Sequence, residues 1–171
     1  YTKAQFTGIK IKANEITKKF RNEGVDRNHN PEHMTIEWYQ ENADYNNGME
    51  LVEELIKELV KKLFGKTNFE YQGNQIDVSK WKKISLRDAI VKYVDEDINK
   101  IKTDEQAKKI AKKHNIETEG ITKTNISDEL MKLFRDKLIQ PTFLIDYPIE
   151  LAPLAKPCEK DPTKAEIFQP F

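Results

Sequence analysis

The sequence predicts an α+β fold, in which strands of an antiparallel sheet pack against several helices. Three observations predict it. Apolar and polar side chains alternate along short stretches near the N-terminus, which is typical of strands with one wet face. Residues 49–64 repeat apolar side chains every three or four positions, which is typical of an amphipathic helix. The apolar run at 142–147 lies between two prolines and is typical of a buried strand.

The stretch 20–45 is predicted to form two extended segments joined by a polar turn. The first segment ends at Gly24, residues 25–31 supply the turn, and extension resumes at about Met34. A further strand with one wet face is predicted at residues 8–13. The two segments together predict an antiparallel hairpin with a long loop.

One face of this predicted hairpin gathers polar groups in a small area. Because side chains alternate across a strand, Arg21 and Glu23 share a face, and so do Glu37 and Tyr39. The alternate positions are apolar enough to lie on a core. For any single Arg–Glu pair, a solvated sheet surface with cross-strand ion pairs is the alternative interpretation.

Helices are predicted for most of the remaining chain. The first ends at Gly65 and is preceded by a turn and capping region at 46–48. A hairpin with its turn at 72–74 is predicted at 69–78. The tail after Lys156 contains three prolines and is predicted to be irregular or a short helix. The predicted helices are 49–64, 85–94, 103–114 and 125–139.

Composition limits the function. A length of 171 residues suits one domain with a sizeable core. Lys+Arg and Asp+Glu both count 29, which argues against a basic surface large enough to grip nucleic acid alone. No apolar run is long enough for a membrane span, and no signal-peptide pattern occurs. The single cysteine, Cys158, fits a reducing cytoplasm, and the three histidines lack zinc-type spacing, so no metal site is predicted.

Two segments carry a family resemblance. Within residues 20–45, FRNEG followed by HNPE, IEWY and ADY resembles motif 2 of class II aminoacyl-tRNA synthetases, in the form found in lysyl-tRNA synthetases. Residues 140–156 (QPTFLIDYPIELAPLAK) resemble a later part of the same catalytic domain, in the same order. The resemblance implies a class II synthetase-like antiparallel sheet with packed helices and a helical insertion, present here incompletely. It implies three parts: 1–78 with the motif 2 hairpin, 79–140 as the insertion, and 141–171 as a return strand and tail. The tail also resembles the start of the family's next strand.

The resemblance also implies an activity, that of a lysine–tRNA ligase. Such enzymes activate lysine with ATP and transfer it to tRNA(Lys). Arg21 matches the catalytic arginine that holds the α-phosphate of ATP, where charge develops in the transition state. Glu23 matches the residue that accepts from the adenine amino group, and His29 matches a loop histidine near the outer phosphates. Glu37 and Tyr39 match the pair that recognises the substrate lysine.

The chain departs from the family pattern in three ways. Residues 7–14 carry lysines where the family is more apolar. His33 stands where the family has a phenylalanine that stacks on adenine, and histidine offers a smaller, titratable ring to ATP. No candidate is found for motif 1, which forms the family homodimer, for motif 3, or for the acidic segment that binds catalytic Mg²⁺. Two alternatives therefore stay open: a paralogue that modifies a protein acceptor, and a non-catalytic lysine-binding or structural remnant.

Overall fold

The structure is a computed structural model that describes residues 12–22, 24–25 and 29–171. It divides the chain into two compact units, Tyr1–Ala43 and Asp44–Phe171. Helices and small sheets are mixed along the chain, as the α+β prediction requires. The strands are β1 (Lys12–Phe20), β2 (Glu32–Gln40), β3 (Asn68–Tyr71), β4 (Asn74–Asp77), β5 (Lys82–Ser85), β6 (Thr142–Pro148) and β7 (Lys164–Pro170). The helices are α1 (Tyr45–Phe64), α2 (Leu86–Val94), α3 (Asp104–Lys113) and α4 (Ile126–Lys132).

The first unit contains an antiparallel hairpin formed by β1 and β2, as predicted. The predicted bounds of its first strand are wrong, because β1 ends at Phe20, where the predicted segment 20–24 begins, and Arg21 and Asn22 lie outside any strand. β1 continues without a break to Phe20, one residue before Arg21, and β2 begins two residues earlier than the predicted Met34. The backbone N–H of Arg21 donates to the carbonyl of Pro31 at 2.8 Å, so pairing extends one step past β1. Most of the strand predicted at 8–13 lies outside the described residues.

The apolar face of this hairpin is exposed. Ile16 and Phe20 on β1 are 65% and 73% exposed, and Met34 and Ile36 on β2 are 59% and 46% exposed. A two-stranded ribbon supplies no second layer of its own to cover a face.

Helix α1 begins earlier than predicted, so the turn predicted at 46–48 is wrong. Asp44 is its N-cap and forms a capping box with Asn47, which satisfies the first backbone N–H groups. Gly48 lies inside the helix, where a Cβ would come within 2.8 Å of the Phe168 ring on β7. The close helix–strand approach explains a glycine at this position better than a turn does. The predicted end is confirmed, because Gly65 adopts φ 71° as the C-cap.

The small hairpin predicted at 69–78 is confirmed as β3 and β4. Its two turn residues, Gln72 and Gly73, have φ values of 50° and 77°. Positive φ at both positions is the type I′ pattern that matches the twist of two-residue hairpins.

The third sheet has the strand order β5-β6-β7. β6 is the buried strand predicted at 142–147, and it pairs parallel with β5 and antiparallel with β7. Over Lys164–Pro170 the prediction of an irregular segment or short helix is wrong, because these residues form β7. A strand here agrees with the resemblance of the tail to the start of the family's next strand. A register shift between Ile145 and Tyr147 places Asp146 at φ 59°, a β-bulge next to the end of β6.

Helices α2, α3 and α4 surround the main core together with β6. The predicted caps are confirmed: Ser85 accepts from the N–H of Asp88 at 3.0 Å, and Thr103 forms a capping box with Gln106. The helix predicted at 125–139 is shorter, since α4 ends at Lys132 and a 3-10 turn follows. Phe134 is fully buried and stacks on Tyr93 with ring centroids 5.4 Å apart. Within the described residues, none of the helices has the length and apolarity that crossing a bilayer requires.

Candidate active site

Two predicted site residues meet on β2. Glu37 and Tyr39 are two positions apart and therefore lie on the same face of the strand. The Tyr39 hydroxyl donates to Oε2 of Glu37 at 3.2 Å. Both side chains are partly buried, unlike the exposed apolar residues on the opposite face. The structure thus forms an acid–phenol pair on the face that the alternation predicts.

A residue outside the predicted set completes this cluster. The Lys19 ammonium lies 3.2 Å from Oε1 of Glu37, and the two side chains are 40% and 41% exposed. Glu15 is the residue directly opposite Glu37 in the hairpin register. The signal that could have identified Lys19 is the alternation of side chains along β1. Residues 15, 17 and 19 are odd-numbered like Arg21 and therefore lie on one face of the strand. The predicted extended segment begins at Phe20, so Lys19 is not among the predicted site residues.

The environment of Tyr39 keeps its phenol protonated. Partial burial raises the pKa of Tyr39, and the hydrogen bond and negative charge of Glu37 raise it further. The Lys19 ammonium acts in the opposite direction and lowers this pKa, but its effect is smaller. At neutral pH the phenol is therefore a donor, and Glu37 is the acceptor for both Tyr39 and an ammonium.

Arg21 lies near the loop end of the hairpin, away from Glu37. It follows β1 and is exposed, and its backbone partner is Pro31. Six residues separate Pro31 from Glu37, which corresponds to about 20 Å along a strand. The hairpin does not bring Arg21 into the Glu37 cluster. It places the two at separate points along the same ribbon.

The remaining predicted nucleotide ligands lie towards the same loop. His29 is exposed in the turn. His33 lies on β2, opposite Lys19 in the register, with Nδ1 3.3 Å from the carbonyl oxygen of Asn30. Glu23 lies outside the described residues. The predicted ATP residues that are described therefore occupy the loop end of the ribbon, and the predicted lysine residues lie further along β2.

Over residues 12–22, 24–25 and 29–171, no group of three or more His, Cys, Asp or Glu side chains is arranged to hold a metal ion.

Comparison with known proteins decides the family. The sequence profile described as tRNA synthetases class II (D, K and N) matches residues 6–170. The chain belongs to the class II tRNA synthetases. It is 45% identical over 166 residues to a lysine–tRNA ligase of Thermoanaerobacter pseudethanolicus, covering 94% of this chain and 33% of that protein. It is 42% identical over 166 residues to a lysine–tRNA ligase of Clostridium perfringens, again covering 94% of the chain and 33% of the relative. Identity to a lysine–tRNA ligase of Thermosipho africanus is 41% over 170 residues, or 99% of this chain and 34% of that protein.

These class II relatives are much longer than the segment they share with this chain. The chain spans about a third of the length of the curated relatives it matches. The family resemblance of the motif 2 and 140–156 segments is confirmed by these comparisons.

Proposed function

We propose that this chain is part of the catalytic domain of a lysine–tRNA ligase. In the proposed reaction, a carboxylate oxygen of lysine attacks the α-phosphorus of ATP, and the bond to the β-phosphate breaks. Pyrophosphate leaves with the bonding electron pair, and lysyl-adenylate forms. A hydroxyl of the terminal tRNA adenosine then attacks the activated carbonyl and releases AMP. Lysine, ATP and tRNA(Lys) are substrates in this proposal.

The observation that carries the proposal is the contact between Glu37 and a primary ammonium. Glu37 already holds the ammonium of Lys19 at 3.2 Å, while Tyr39 donates to its other oxygen at 3.2 Å. The substrate lysine ends in the same chemical group as Lys19. A carboxylate oriented by a phenol is a suitable partner for such a cation when water is partly excluded. In the proposed complex, the substrate ammonium takes the place of Lys19.

The separation along the hairpin supports a division of roles. The guanidinium of Arg21 stabilises the negative charge that develops on the α-phosphoryl group, because its planar set of N–H donors can bond two phosphate oxygens at once. His29 and His33 lie at the loop end of the hairpin, where ATP is proposed to bind. His33 offers adenine a smaller ring than the phenylalanine of the family. About 20 Å of strand between Pro31 and Glu37 leaves room for an extended amino acid joined to a phosphoryl group. The ammonium end is held at Glu37 and the reacting carboxylate lies towards Arg21.

The finer architecture belongs to the same proposal. Residues 1–78 supply the motif 2 hairpin and a core helix, 79–140 form the helical insertion, and 141–171 return to the catalytic sheet. Mg²⁺ accompanies ATP in the family, and its ligands are proposed to come from parts of the enzyme beyond the described residues. The interface of the family homodimer is likewise proposed to be formed by motif 1.

A chimera tests this function directly. Residues 6–170 of this chain replace the matching third of the Thermoanaerobacter pseudethanolicus relative, which supplies the other segments of a complete ligase. We expect lysine-dependent exchange of pyrophosphate into ATP, and charging of tRNA(Lys). A parallel assay with a translation-factor protein as acceptor tests the alternative paralogue.

Arg21→Ala in the chimera is expected to reduce the exchange rate by about 10²- to 10³-fold, as removal of a transition-state donor does. Lys18→Ala is the matched control, since Lys18 is a cation of the same ribbon that pairs with Glu32 on the opposite face. An inactive but folded chimera contradicts the assignment to this ligase. Equal losses for both variants contradict the role of Arg21.

A further inference from the structure

The second unit contains a groove of about 350 Å³ that is lined by basic and apolar residues. It lies beside β5, at the edge of the third sheet, where the end of α2 and the segment that leads into β6 also line it. Among the residues that the structure describes, no Asp or Glu lines it, and four lysines do: Lys82, Lys83, Lys92 and Lys137. This lysine groove is a local excess of positive charge, because the whole chain carries 29 basic and 29 acidic residues.

Three separate elements supply these lysines. Lys82 lies on β5, Lys92 in the last turn of α2, and Lys137 in the 3-10 turn that follows α4. Because side chains alternate along a strand, Lys82 shares its face with Ile84, which packs against the main core that α2 helps to form. Lys83 takes the opposite face by the same alternation. The ammonium groups assigned to the groove are therefore those of Lys82, Lys92 and Lys137.

The positive charge of the groove is not neutralised by ion pairs. Among the described residues, no carboxylate lies within 4.0 Å of any of these three ammonium groups. Two acidic residues beside them in sequence have other partners, since Asp88 lies 3.6 Å from Arg87 and Asp136 lies 3.9 Å from Arg135. The three lysines are exposed to solvent, so they form a positive surface and not a buried site. Clustered lysines on a surface are the usual contacts of a nucleic-acid phosphate backbone.

Two uncharged polar side chains of the groove are engaged within the fold. The side-chain amide of Gln140 donates to the carbonyl of Gln75 at 2.7 Å, and its oxygen accepts from the N–H of Asp77 at 3.2 Å. The hydroxyl of Thr142 donates to the carbonyl of Gln140 at 2.7 Å. The lysines are therefore the groups of this groove that suit an anion, and lysine contacts to phosphate carry no base specificity.

Protection of a sheet edge explains part of this surface. Lysines on an edge strand prevent the strand from pairing with another chain, which accounts for Lys82 and Lys83 on β5. It does not account for Lys92 and Lys137, which lie on a helix and in a turn. A lining without carboxylates that spans three elements favours the binding of an extended anion.

We propose that the lysine groove contacts the phosphate backbone of RNA. The identity of that RNA rests on the proposed ligase function, which makes it tRNA(Lys). Lys82, Lys92 and Lys137 each contact a phosphate, and the release of counterions from the RNA supplies the free energy of binding. The contact is independent of sequence and is local, in keeping with a chain whose formal net charge is zero.

The first test measures binding of a fluorescein-labelled RNA hairpin to the full chain by fluorescence anisotropy. We expect a dissociation constant between about 1 and 100 μM, the range of sequence-independent binding. The logarithm of the association constant is expected to fall with the logarithm of the salt concentration with a slope of about −3, since about three phosphates are neutralised. Absence of binding at about 0.3 mM chain overturns the proposal.

Variants locate the contact. The triple substitution Lys82→Gln, Lys92→Gln and Lys137→Gln is expected to weaken RNA binding by about tenfold or more and to bring the salt slope close to zero. The matched control is expected to stay within about threefold of the wild type. It removes the same charge from three exposed lysines of α3 outside the groove: Lys108→Gln, Lys109→Gln and Lys112→Gln. Equal weakening in the two triple variants overturns the assignment to the groove.

Polyglutamate tests an acidic protein as the alternative occupant. At an equal concentration of negative charge, we expect it to compete about tenfold more weakly than unlabelled RNA, whose backbone has the higher charge density. Competition equal to that of RNA assigns the groove to an acidic protein and overturns the contact with RNA.

The chimera separates this inference from the proposed function. The groove variant is expected to lower kcat/KM for tRNA(Lys) in the charging assay by about tenfold, and to leave lysine-dependent pyrophosphate exchange without tRNA unchanged. An active chimera whose charging rate is the same with and without the groove substitutions overturns the contact with tRNA(Lys). An inactive chimera refutes the proposed ligase function, and the anisotropy measurements on the chain itself then decide whether the groove binds RNA.

Discussion

Glu37→Gln is the most informative perturbation of the proposed lysine site. The substitution keeps the size and the acceptor oxygen of the side chain but removes its negative charge. In the structure, Oε1 of Glu37 lies 3.2 Å from the Lys19 ammonium, and Oε2 accepts a hydrogen bond from the Tyr39 hydroxyl at 3.2 Å. If the substrate ammonium takes the same position, Glu37→Gln replaces its ion pair with a carboxylate by a hydrogen bond to a neutral amide oxygen.

The expected magnitude follows from the exposure of the pair. A hydrogen bond to a charged group contributes about 1.5–3 kcal/mol, which corresponds to roughly 10- to 150-fold in affinity. The Glu37 side chain is 41% exposed, so solvent screens its charge and the lower end applies. We expect kcat/KM for lysine in the chimera to fall by about tenfold, with the KM for ATP unchanged. Pyrophosphate exchange at varied lysine concentration measures both values.

Glu32→Gln is the matched control for this experiment. Glu32 lies on the same strand and also pairs with a lysine, Lys18, at 2.9 Å, but on the opposite face of the ribbon. We expect Glu32→Gln to change hairpin stability as little as Glu37→Gln does, and to leave kcat/KM for lysine unchanged. Equal kinetic effects of the two substitutions would refute the reasoning, because they would trace the loss to the hairpin rather than to recognition of lysine.

Three further predictions concern the second unit. Arg87→Gln is expected to raise the pKa of Asp97, which the Arg87 hydrogen bond lowers to about 2, and an NMR titration measures this pKa. The lowered pKa stabilises the fold above the unfolded pKa of about 3.9, and this stabilisation is lost as the pH falls to about 2. In acid unfolding, the stability of the variant should therefore decrease less across this pH range than that of the wild type. Gly48→Ala places a Cβ 2.8 Å from the Phe168 ring. Overpacking costs about 1–3 kcal/mol, which is expected to exceed the gain of about 1 kcal/mol in helix propensity. Urea unfolding of the variant should therefore show a free energy of unfolding lower than, or at best equal to, that of the wild type. Phe134→Ala empties a fully buried site and is expected to lower the free energy of unfolding by about 3–5 kcal/mol in the same assay, a result contradicted by a loss below about 1 kcal/mol.

Local chemistry predicted much of the secondary structure. Capping residues at Ser85 and Thr103 marked two helix starts, Gly65 marked a helix end, and the Gln72–Gly73 turn marked a hairpin. Each of these signals is a hydrogen bond or a φ preference set by a few adjacent residues. Sequence alone therefore locates them.

The errors fall where distant residues decide the conformation. Gly48 was interpreted as part of a turn because glycine is common there, but its role depends on the Phe168 ring, which lies 120 positions along the chain. The prolines of the tail predict an irregular segment or short helix, but pairing with β6 makes Lys164–Pro170 a strand, and only the family resemblance pointed to a strand there. Strand pairing and helix–strand packing depend on partners that a local pattern does not reveal.

The sequence by itself determined the family, the amphipathic helices and the parity that groups Glu37 with Tyr39, because side-chain periodicity and motif strings are properties of adjacent positions. Only the tertiary structure decided the hairpin register, since a shift by one residue would turn every side chain to the other face. That register brings Lys19 to Glu37 and leaves Arg21 about 20 Å away along the strand.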